Sequence, residues 1–388
     1  MILRKVIFIY LLFSPVLAIK WLAMHQIYPA WTEASDCPVN RTERKAFGLV
    51  TYQTRLCRRI PKIMPIMVKA AQQTIEACQK TFGDHRWNCS TIMFAPEFKA
   101  DLSKGTREQA FVQSLSSAAI VHTVAKSCVS GELSCPCGFV ETTTAPGSVA
   151  NPDSYKWKGC SDNVIYGRRV SREWADAIWR RTSPAAMRKR KSILEFDSEN
   201  LNDDPTPQKL GFKARINQEN NDIGRQVTQN SQFRRCKCHG VSSSCDVKTC
   251  WNMLPPLQVI ADKLKERYAK AYQIGQPYDP TGSKNSGRST RIPFSDKNEP
   301  ELVFLRSSPS YCDKDIEFGS FGTKDRECKH NATDLANDES SNCKNLCCDR
   351  GFYTKQFTLE YQCNCKYQHC CFVKCRTCQK TIEKHYCK

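Results

Sequence analysis

The sequence predicts an α+β, disulfide-rich fold with a mainly helical first part and a second part built from cysteine-bridged hairpins. The chain has 388 residues and 24 cysteines, twelve between Cys37 and Cys250 and twelve between Cys312 and Cys387. The second dozen are so closely spaced that disulfides can replace a hydrophobic core there. The first part is longer and has apolar residues at helical spacing, so it can bury a conventional core.

Residues 1–18 have the pattern of a secretory signal peptide. Arg4 and Lys5 precede an apolar stretch, and small residues lie near Ala18. This stretch is too short to span a bilayer, and no later segment reaches the ~20 apolar residues required, so we expect no membrane anchor. An even number of cysteines in an exported chain favours disulfides. We therefore expect a secreted protein of the extracellular space and extracellular matrix.

Three N-glycosylation sequons begin at Asn40, Asn88 and Asn331. Because the chain is predicted to be exported, we expect these asparagines to be glycosylated. Lys plus Arg number 58 against 39 Asp plus Glu, a formal net charge of +19. In an exported protein this charge argues against nucleic acid and favours polyanions such as sulfated glycans. Solubility alone is the alternative, but the basic residues cluster between Arg168 and Lys191, which favours the polyanion.

Helical spacing of apolar residues predicts four helices, over residues 56–78, 106–125, 170–178 and 257–268. Pro61 and Pro65 imply that the first helix is kinked early or begins later than its pattern. Thr106 and Gln109 form a capping-box signature for the second helix. His122, on that helix, is interpreted as a core or half-buried histidine.

The segment from Cys236 to Trp251 holds four cysteines around three consecutive serines, residues 242–244. If the outer and inner cysteine pairs both close, they staple a hairpin, each stabilising it by roughly 2–4 kcal/mol. Gly240 can take a positive φ where the chain reverses. The sequence therefore predicts a rigid hairpin, inserted before the last helix, that displays a serine.

Two other chemistries are possible for this hairpin. Its Cys-x-Cys-His spacing, and Cys-x-x-Cys at Cys375 and Cys378, resemble zinc sites, but export and even cysteine number favour oxidation, so we predict no metal. His239 lies three residues before Ser242, so a base and a nucleophile are close in the sequence. Because no Gly-x-Ser-x-Gly elbow or acidic partner is apparent, we predict no enzymatic activity. A secreted, disulfide-rich, lipase-like hydrolase remains the alternative.

The rest of the chain divides by composition. Residues 183–220 are polar and predicted to form a loop, and 275–299 are rich in Pro, Gly and Ser and predicted to link residues 19–274 to residues 300–388. Residues 301–305 resemble a short strand. A second hairpin, 363–378, has Cys370 and Cys371 near its tip. These two cysteines either bond to each other in a strained ring or bond elsewhere.

The motif from Cys236 to Ser242, Cys-Lys-Cys-His-Gly-Val-Ser, resembles the signature of the Wnt family. Residues 86–89, residues 157–163, Gly224-Arg225 and the closing cysteine-rich block support the resemblance, which covers about Cys37 to Lys388. Within the family, residues 95–97, 105–111 and 305–312 are similar to the Wnt-eleven branch.

The resemblance implies a saposin-like helical N-terminal domain and a cystine-knot-like C-terminal domain. Hairpin 236–250, the thumb hairpin, and hairpin 363–378, the finger hairpin, would grip the cysteine-rich domain of a Frizzled receptor. Ser242 would carry palmitoleate, attached by the acyltransferase Porcupine, with no other cofactor. Further implied partners are a co-receptor of unknown type, a lipid-binding carrier and heparan sulfate proteoglycans. The receptor-contacting residues would be His239, Val241, Ser242, Cys370, Cys371, Phe372 and Val373.

The resemblance also implies a disulfide pairing. In the first part it joins Cys78–Cys89, Cys128–Cys135, Cys137–Cys160, Cys236–Cys250 and Cys238–Cys245, and Cys37 and Cys57 are left to pair. In the second part it joins Cys312–Cys348, Cys328–Cys343, Cys347–Cys387, Cys363–Cys378, Cys365–Cys375 and Cys370–Cys371.

Two departures from the family pattern affect the tips of the hairpins. Ser243 stands where the family usually has glycine, which costs about 1 kcal/mol if its φ is positive. It also offers the acyltransferase a neighbouring hydroxyl. His369 replaces the usual tryptophan before Cys370, which makes the finger hairpin less apolar and is expected to make it pH-sensitive.

Overall fold

The structure is a computed structural model that describes residues 19–27, 31–138, 156–179, 212–274, 301–330 and 339–388. The predicted signal peptide, the predicted linker, the Asn331 sequon and most of the predicted loop at 183–220 lie outside these ranges. Only the backbone is described for residues 156–158.

The described helices are numbered in chain order. They are α1 (Arg41–Ala46), α2 (Thr51–Arg59), α3 (Met64–Phe82), α4 (Ala100–Ser103), α5 (Arg107–Ser130), α6 (Val164–Ala175), α7 (Phe212–Asn230), α8 (Leu257–Ala269) and α9 (Cys343–Leu346). The first predicted helix is two helices, α2 and α3, because a 3-10 turn over Pro61–Ile63 separates them. The other three predicted helices correspond to α5, α6 and α8.

Helix α5 is the centre of the main core, and α3, α6, α7 and α8 pack around it. Its N-terminus has the predicted cap, since Thr106 Oγ1 accepts a hydrogen bond from the Gln109 amide at 3.1 Å. The Gln109 side chain accepts from the Gly105 amide at 2.7 Å. Helix α5 is buried on nearly all sides, as expected for a central helix. None of the helices described here is long and apolar enough to cross a membrane.

Helix α7 corrects the predicted loop, because residues 212–220 are helical. The sequence signal was misleading because asparagines, which are poor helix formers, occupy its buried face. Asn220 exchanges two hydrogen bonds with the backbone of Val303, at 2.9 and 3.0 Å, and Asn221 donates to Asp176 at 2.8 Å. Gly224 lets α7 approach α5, since a Cβ there would lie 1.9 Å from the Ser114 carbonyl oxygen.

The described strands form four small sheets. They are β1 (Lys156–Lys158), β2 (Phe233–Cys238), β3 (Lys248–Met253), β4 (Tyr272–Gln273), β5 (Val303–Phe304), β6 (Lys314–Asp315), β7 (Ser320–Phe321), β8 (Glu327–Cys328), β9 (Phe352–Gln368) and β10 (Phe372–Cys387). The sheet orders are β1-β3-β2, β8-β10-β9, β4-β5 and β6-β7. The thumb hairpin is built on β2 and β3, and the finger hairpin is the outer end of the longer β9–β10 ribbon.

The second part of the chain folds around its bridges. Cys328, Cys343, Cys347 and Cys387 form a buried cluster with Leu346. Arg326 fixes this part to the helices by donating to the backbone carbonyls of Arg86 and Gly83, at 2.8 and 2.9 Å. Leu302 and Tyr311, which lie beyond the predicted boundary at residue 300, also pack in the helical core.

His122 is 7% exposed on α5, and its Nε2 lies 3.0 Å from the Pro255 carbonyl oxygen. Burial lowers its pKa to about 4 from the usual 6.5. Between pH ~4 and pH ~6.5 the histidine is protonated in the unfolded chain but neutral in the folded protein. The folded protein therefore loses stability as the pH falls from ~6.5 towards ~4. The loss is up to about 1.4 kcal/mol of unfolding free energy per pH unit.

We expect His122→Gln to make the unfolding free energy depend less steeply on pH. The slope, measured by urea unfolding at several pH values, should fall by the equivalent of about one bound proton. The exposed His369→Gln variant is the matched control and should keep the parental slope. Equal slopes for parent and His122→Gln would contradict the assignment.

Candidate functional site

The base of the thumb hairpin is fixed to the helical core. Cys236 and Cys250 are directly paired across β2 and β3 and form a disulfide. The Asp162 carboxylate accepts a hydrogen bond from the Leu254 amide at 2.6 Å and pairs with Lys126 of α5 at 2.7 Å. The Asp162 carboxylate is shielded from water, since its side chain is only 4% exposed, whereas that of Lys126 is 35% exposed. The hairpin therefore projects from a rigid base.

The tip of the thumb hairpin is a short turn closed by the Cys238–Cys245 disulfide. Ser242 and Ser243 both take positive φ, at 53° and 63°. The Ser243 amide donates to the Gly240 carbonyl at 3.0 Å, and the Ser244 amide donates to the Val241 carbonyl at 3.0 Å. These bonds hold the turn without using the serine side chains.

The three serines differ in what surrounds their hydroxyl groups. Ser244 Oγ donates to the Asp246 carboxylate at 2.6 Å. Ser242 is exposed, and its hydroxyl has no hydrogen-bond partner among the residues that the structure describes. Val241 beside it is 90% exposed. The turn thus presents an unengaged primary hydroxyl next to an exposed apolar side chain.

Gly240 does not have the predicted role. Its φ is −69°, so the expectation of a positive φ was wrong, and the reversal falls on Ser242 and Ser243 instead. A Cβ at Gly240 would lie 2.0 Å from Ser244 Oγ and 2.8 Å from its carbonyl oxygen. Glycine is needed here for close approach across the turn.

Ser243 stands where the family usually has glycine, and its positive φ makes the effect of this difference on stability testable. Substituting Ser243→Gly is expected to stabilise the protein by up to about 1 kcal/mol, because a Cβ is strained in this conformation. The matched control is Ser244→Gly, where φ is −60° and glycine should destabilise instead. Urea unfolding with the disulfides intact measures both. A loss of stability in Ser243→Gly would show that its backbone is unstrained.

The geometry does not favour the two rival chemistries. His239 Nε2 lies 2.9 Å from Thr249 Oγ1 rather than beside Ser242, so His239 is not placed to act as a base for that serine. The cysteines of the zinc-like motifs are all disulfide-bonded and offer no thiolate. The sulfurs of Cys328, Cys347 and Cys387 lie within 4.8 Å of one another, but they too belong to disulfides.

The tip of the finger hairpin differs from expectation at its cysteines. Cys370 and Cys371 have free thiols whose sulfurs lie 3.6 Å apart, so the implied Cys370–Cys371 bond is not formed in the structure. Bonding adjacent cysteines would close a strained ring, and the loop after Gln368 reverses without it, with φ of 70° and 91° at these residues. Phe372 and Val373 follow, 55% and 60% exposed.

The remaining cysteines pair as the resemblance implies. Eleven disulfides are present, including one between the two residues left over, Cys37 and Cys57. Two of them cross the finger hairpin, at Cys363–Cys378 and Cys365–Cys375. Both projections are therefore stapled near their tips.

Two of the sequons lie in described residues. Asn40 is exposed at the start of α1, where its side chain accepts from the Glu43 amide at 2.9 Å and donates to the Glu43 carboxylate at 2.8 Å. Asn88 is half-buried, and Ser90 Oγ donates to it at 2.7 Å. Glycosylation at either position stays a prediction.

Sequence reasoning missed two features of the site. The first is the Lys126–Asp162 anchor, which joins residues far apart in the chain and leaves no local pattern. The second is Tyr367, 72% exposed and paired with Val373 across the finger hairpin. Alternation of aromatic residues along β9 could have identified Tyr367 from the sequence.

A family model described as "wnt: wnt family" matches residues 45–388. Protein Wnt-11b-1 of Xenopus tropicalis is 38% identical over 374 residues, covering 96% of this chain and 94% of that protein. Protein Wnt-11 of Gallus gallus is 38% identical over 373 residues, covering 95% and 93%. Among solved structures, a chain from "Human WLS in complex with WNT8A" is 28% identical with a TM-score of 0.52, covering 84% and 94%. The chain belongs to the Wnt family of signalling ligands and is similar to its Wnt-11 proteins.

Proposed function

We propose that this protein is a secreted ligand, acylated with palmitoleate on Ser242, that binds the cysteine-rich domain of a Frizzled receptor and triggers Wnt signalling in development. The observation that carries the proposal is the exposed, unengaged Ser242 hydroxyl at the tip of a hairpin closed by two disulfides. Such a constrained tip can present one hydroxyl to an acyltransferase and then one acyl chain to a receptor.

The acyl chain would dominate the affinity. At ~0.8 kcal/mol per buried CH2, a chain of this length can contribute on the order of 10 kcal/mol. Val241, the exposed apolar residue beside Ser242, could add only about 1.5–3 kcal/mol. Phe372 and Val373 on the finger hairpin would form a second, smaller contact that orients the receptor.

Ser242 is the favoured acceptor among the three serines. Ser244 is engaged by the Asp246 carboxylate, and it has a different backbone conformation, with a φ of −60°. Ser243 shares the positive φ of Ser242, so it is the competitor that an experiment must exclude.

Other partners follow from the same function. Porcupine would attach the acyl chain, and a lipid-binding carrier would shield it during secretion. The similar protein WNT8A forms a complex with human WLS, which supports a carrier partner. A co-receptor would join at the cell surface. Arg168, Arg169 and Arg172 of α6 carry part of the basic cluster that would favour retention on heparan sulfate proteoglycans in the extracellular matrix.

Mass spectrometry of the tryptic peptide from Cys238 to Lys248, prepared from secreted protein, tests the proposal. We expect one palmitoleoyl group on Ser242 together with the Cys238–Cys245 bond. The same peptide from a Ser242→Ala variant should be unmodified. An acyl group on Ser243, or none in the parent protein, would contradict the proposal.

A further inference from the structure

The β9–β10 ribbon continues below the tip of the finger hairpin as a two-stranded shaft, residues 355–361 and 378–384. One face of this shaft is apolar, and it is separate from the proposed receptor-binding tip. Directly paired residues share a face of a two-stranded ribbon. Phe357 pairs with Ile382, Leu359 with Lys380, and Tyr361 with Cys378. We define the shaft face by Lys355, Phe357, Leu359, Tyr361, Lys380 and Ile382. Its three large apolar residues on β9 are 41%, 50% and 46% exposed.

The opposite face of the same ribbon is polar. There Gln356 pairs with Glu383 at 3.1 Å and Gln379 pairs with Glu360 at 2.8 Å through their side chains. Thr358 lies between them, opposite Thr381. Alternation along each strand has therefore separated apolar from polar residues, as strands do when one face is covered. Yet Phe357, Leu359 and Tyr361 stay 41–50% exposed, and the described elements that pack most closely against the ribbon, β8 and α9, do so near its base.

The charges of the two faces also differ. Both carboxylates of the shaft region, Glu360 and Glu383, lie on the polar face, whereas Lys355 and Lys380 lie on the shaft face. Lys355 Nζ lies over the rings of Tyr353 and Tyr386, at 5.4 and 5.6 Å. The shaft face thus combines exposed apolar side chains with the cations of Lys355 and Lys380. At its base Lys384, which is paired with Lys355, is bound to Glu327 of β8 at 2.8 Å, so that cation is already neutralised.

The size of the shaft face decides which partner fits it. The three half-exposed side chains of β9 can bury on the order of 300 Å², judged from the size of aromatic residues. A stable protein interface needs about 800 Å² on each side, so a second protein chain bound here alone would be held weakly. A lipid surface needs no shape complementarity, and binding to it grows with buried apolar area and with cations near anionic headgroups.

We propose that the shaft face docks on an anionic lipid surface. Apolar residues would enter the interface between headgroups and acyl chains, while Lys355 and Lys380 contact the headgroups. A single acyl chain gives only marginal, reversible membrane binding, and stable anchoring takes a second signal. In the acylated protein of the proposed function, the shaft face supplies that signal. The docking itself does not require the acyl chain, so the two proposals can fail separately.

Flotation with lipid vesicles tests the proposal on full-length secreted Ser242→Ala protein, which lacks the proposed acyl site. We expect it to float with phosphatidylcholine vesicles containing phosphatidylserine, and much less with phosphatidylcholine alone. A Phe357→Ser/Leu359→Ser double variant should lower the partition coefficient at least about tenfold, which corresponds to about 1.4 kcal/mol. Lys355→Gln/Lys380→Gln should remove the preference for phosphatidylserine.

The matched control is Ile316→Ser, which removes an apolar side chain that is 50% exposed elsewhere in the second part. It should float like its parent. Disulfide mapping of each secreted variant establishes that the ribbon has formed. Equal flotation of the double variant and its parent, or no flotation of the parent, would overturn the proposal. So would a concentration-dependent dimer that the double variant loses, because the face would then bind a second copy of the chain.

Discussion

Substituting Ser242→Ala is expected to lower the affinity for a Frizzled cysteine-rich domain by at least about a thousandfold, or about 4 kcal/mol. The reason is the loss of the proposed acyl chain, whose full burial could contribute on the order of 10 kcal/mol. The thumb tip without it keeps Val241 as its exposed apolar residue. Biolayer interferometry with detergent-solubilised ligand measures the change, and a reporter of receptor activation should fall in parallel.

The matched control for this prediction is Ser243→Ala, one residue along the same turn and with the same sign of φ. It should keep the acyl group and most of the affinity. Disulfide mapping of Ser242→Ala should show Cys236–Cys250 and Cys238–Cys245 unchanged, which separates loss of acylation from misfolding. Full binding by Ser242→Ala would show that the acyl chain is elsewhere or is not needed.

The thumb hairpin could be predicted because its signals are local. Four cysteines and a short polar loop lie within fifteen residues, and few conformations can close both bridges. Helices α3, α6 and α8 were predicted for a similar reason, since apolar residues at helical spacing form a stripe along each. Helix α5 has the same spacing, although it is buried on nearly all sides. The cap at Thr106 likewise depends on residues three positions apart.

The features that sequence reasoning missed depend on distant partners. Helix α7 turns buried asparagines toward Val303 and Asp176, and nothing near them in the chain reveals those partners. The sequence predicts a positive φ at Gly240, whereas glycine is needed there because Ser244 approaches closely across the turn. Pairing of β9 with β10 extends well beyond the predicted finger hairpin. Alternation along β9 could have indicated a strand, but its register with β10 depends on residues distant in the chain.

The second large effect is expected at Arg225 of α7, whose side chain is fully buried. Its guanidinium lies 3.0 Å from Asp176 and 2.8 Å from Asp222. Burial raises the pKa of Asp176, and Arg225 opposes that shift. Substituting Arg225→Gln should cost about 3–5 kcal/mol of unfolding free energy, because it leaves Asp176 buried without its cation.

Three comparisons test whether the loss of unfolding free energy in Arg225→Gln comes from the unpaired charge of Asp176. Lys329→Gln breaks an exposed ion pair, with side chains 47% and 60% exposed, and as the control should cost less than about 1 kcal/mol. Adding Asp176→Asn to Arg225→Gln should recover part of the loss, since the unpaired charge is gone. The loss should also be smaller at lower pH, because the unpaired Asp176 of the folded variant then takes up a proton that the unfolded chain binds less tightly. If Arg225→Gln costs no more than Lys329→Gln in urea unfolding, the buried charge does not hold α6 and α7 together, and the core must stabilise that contact through apolar packing alone.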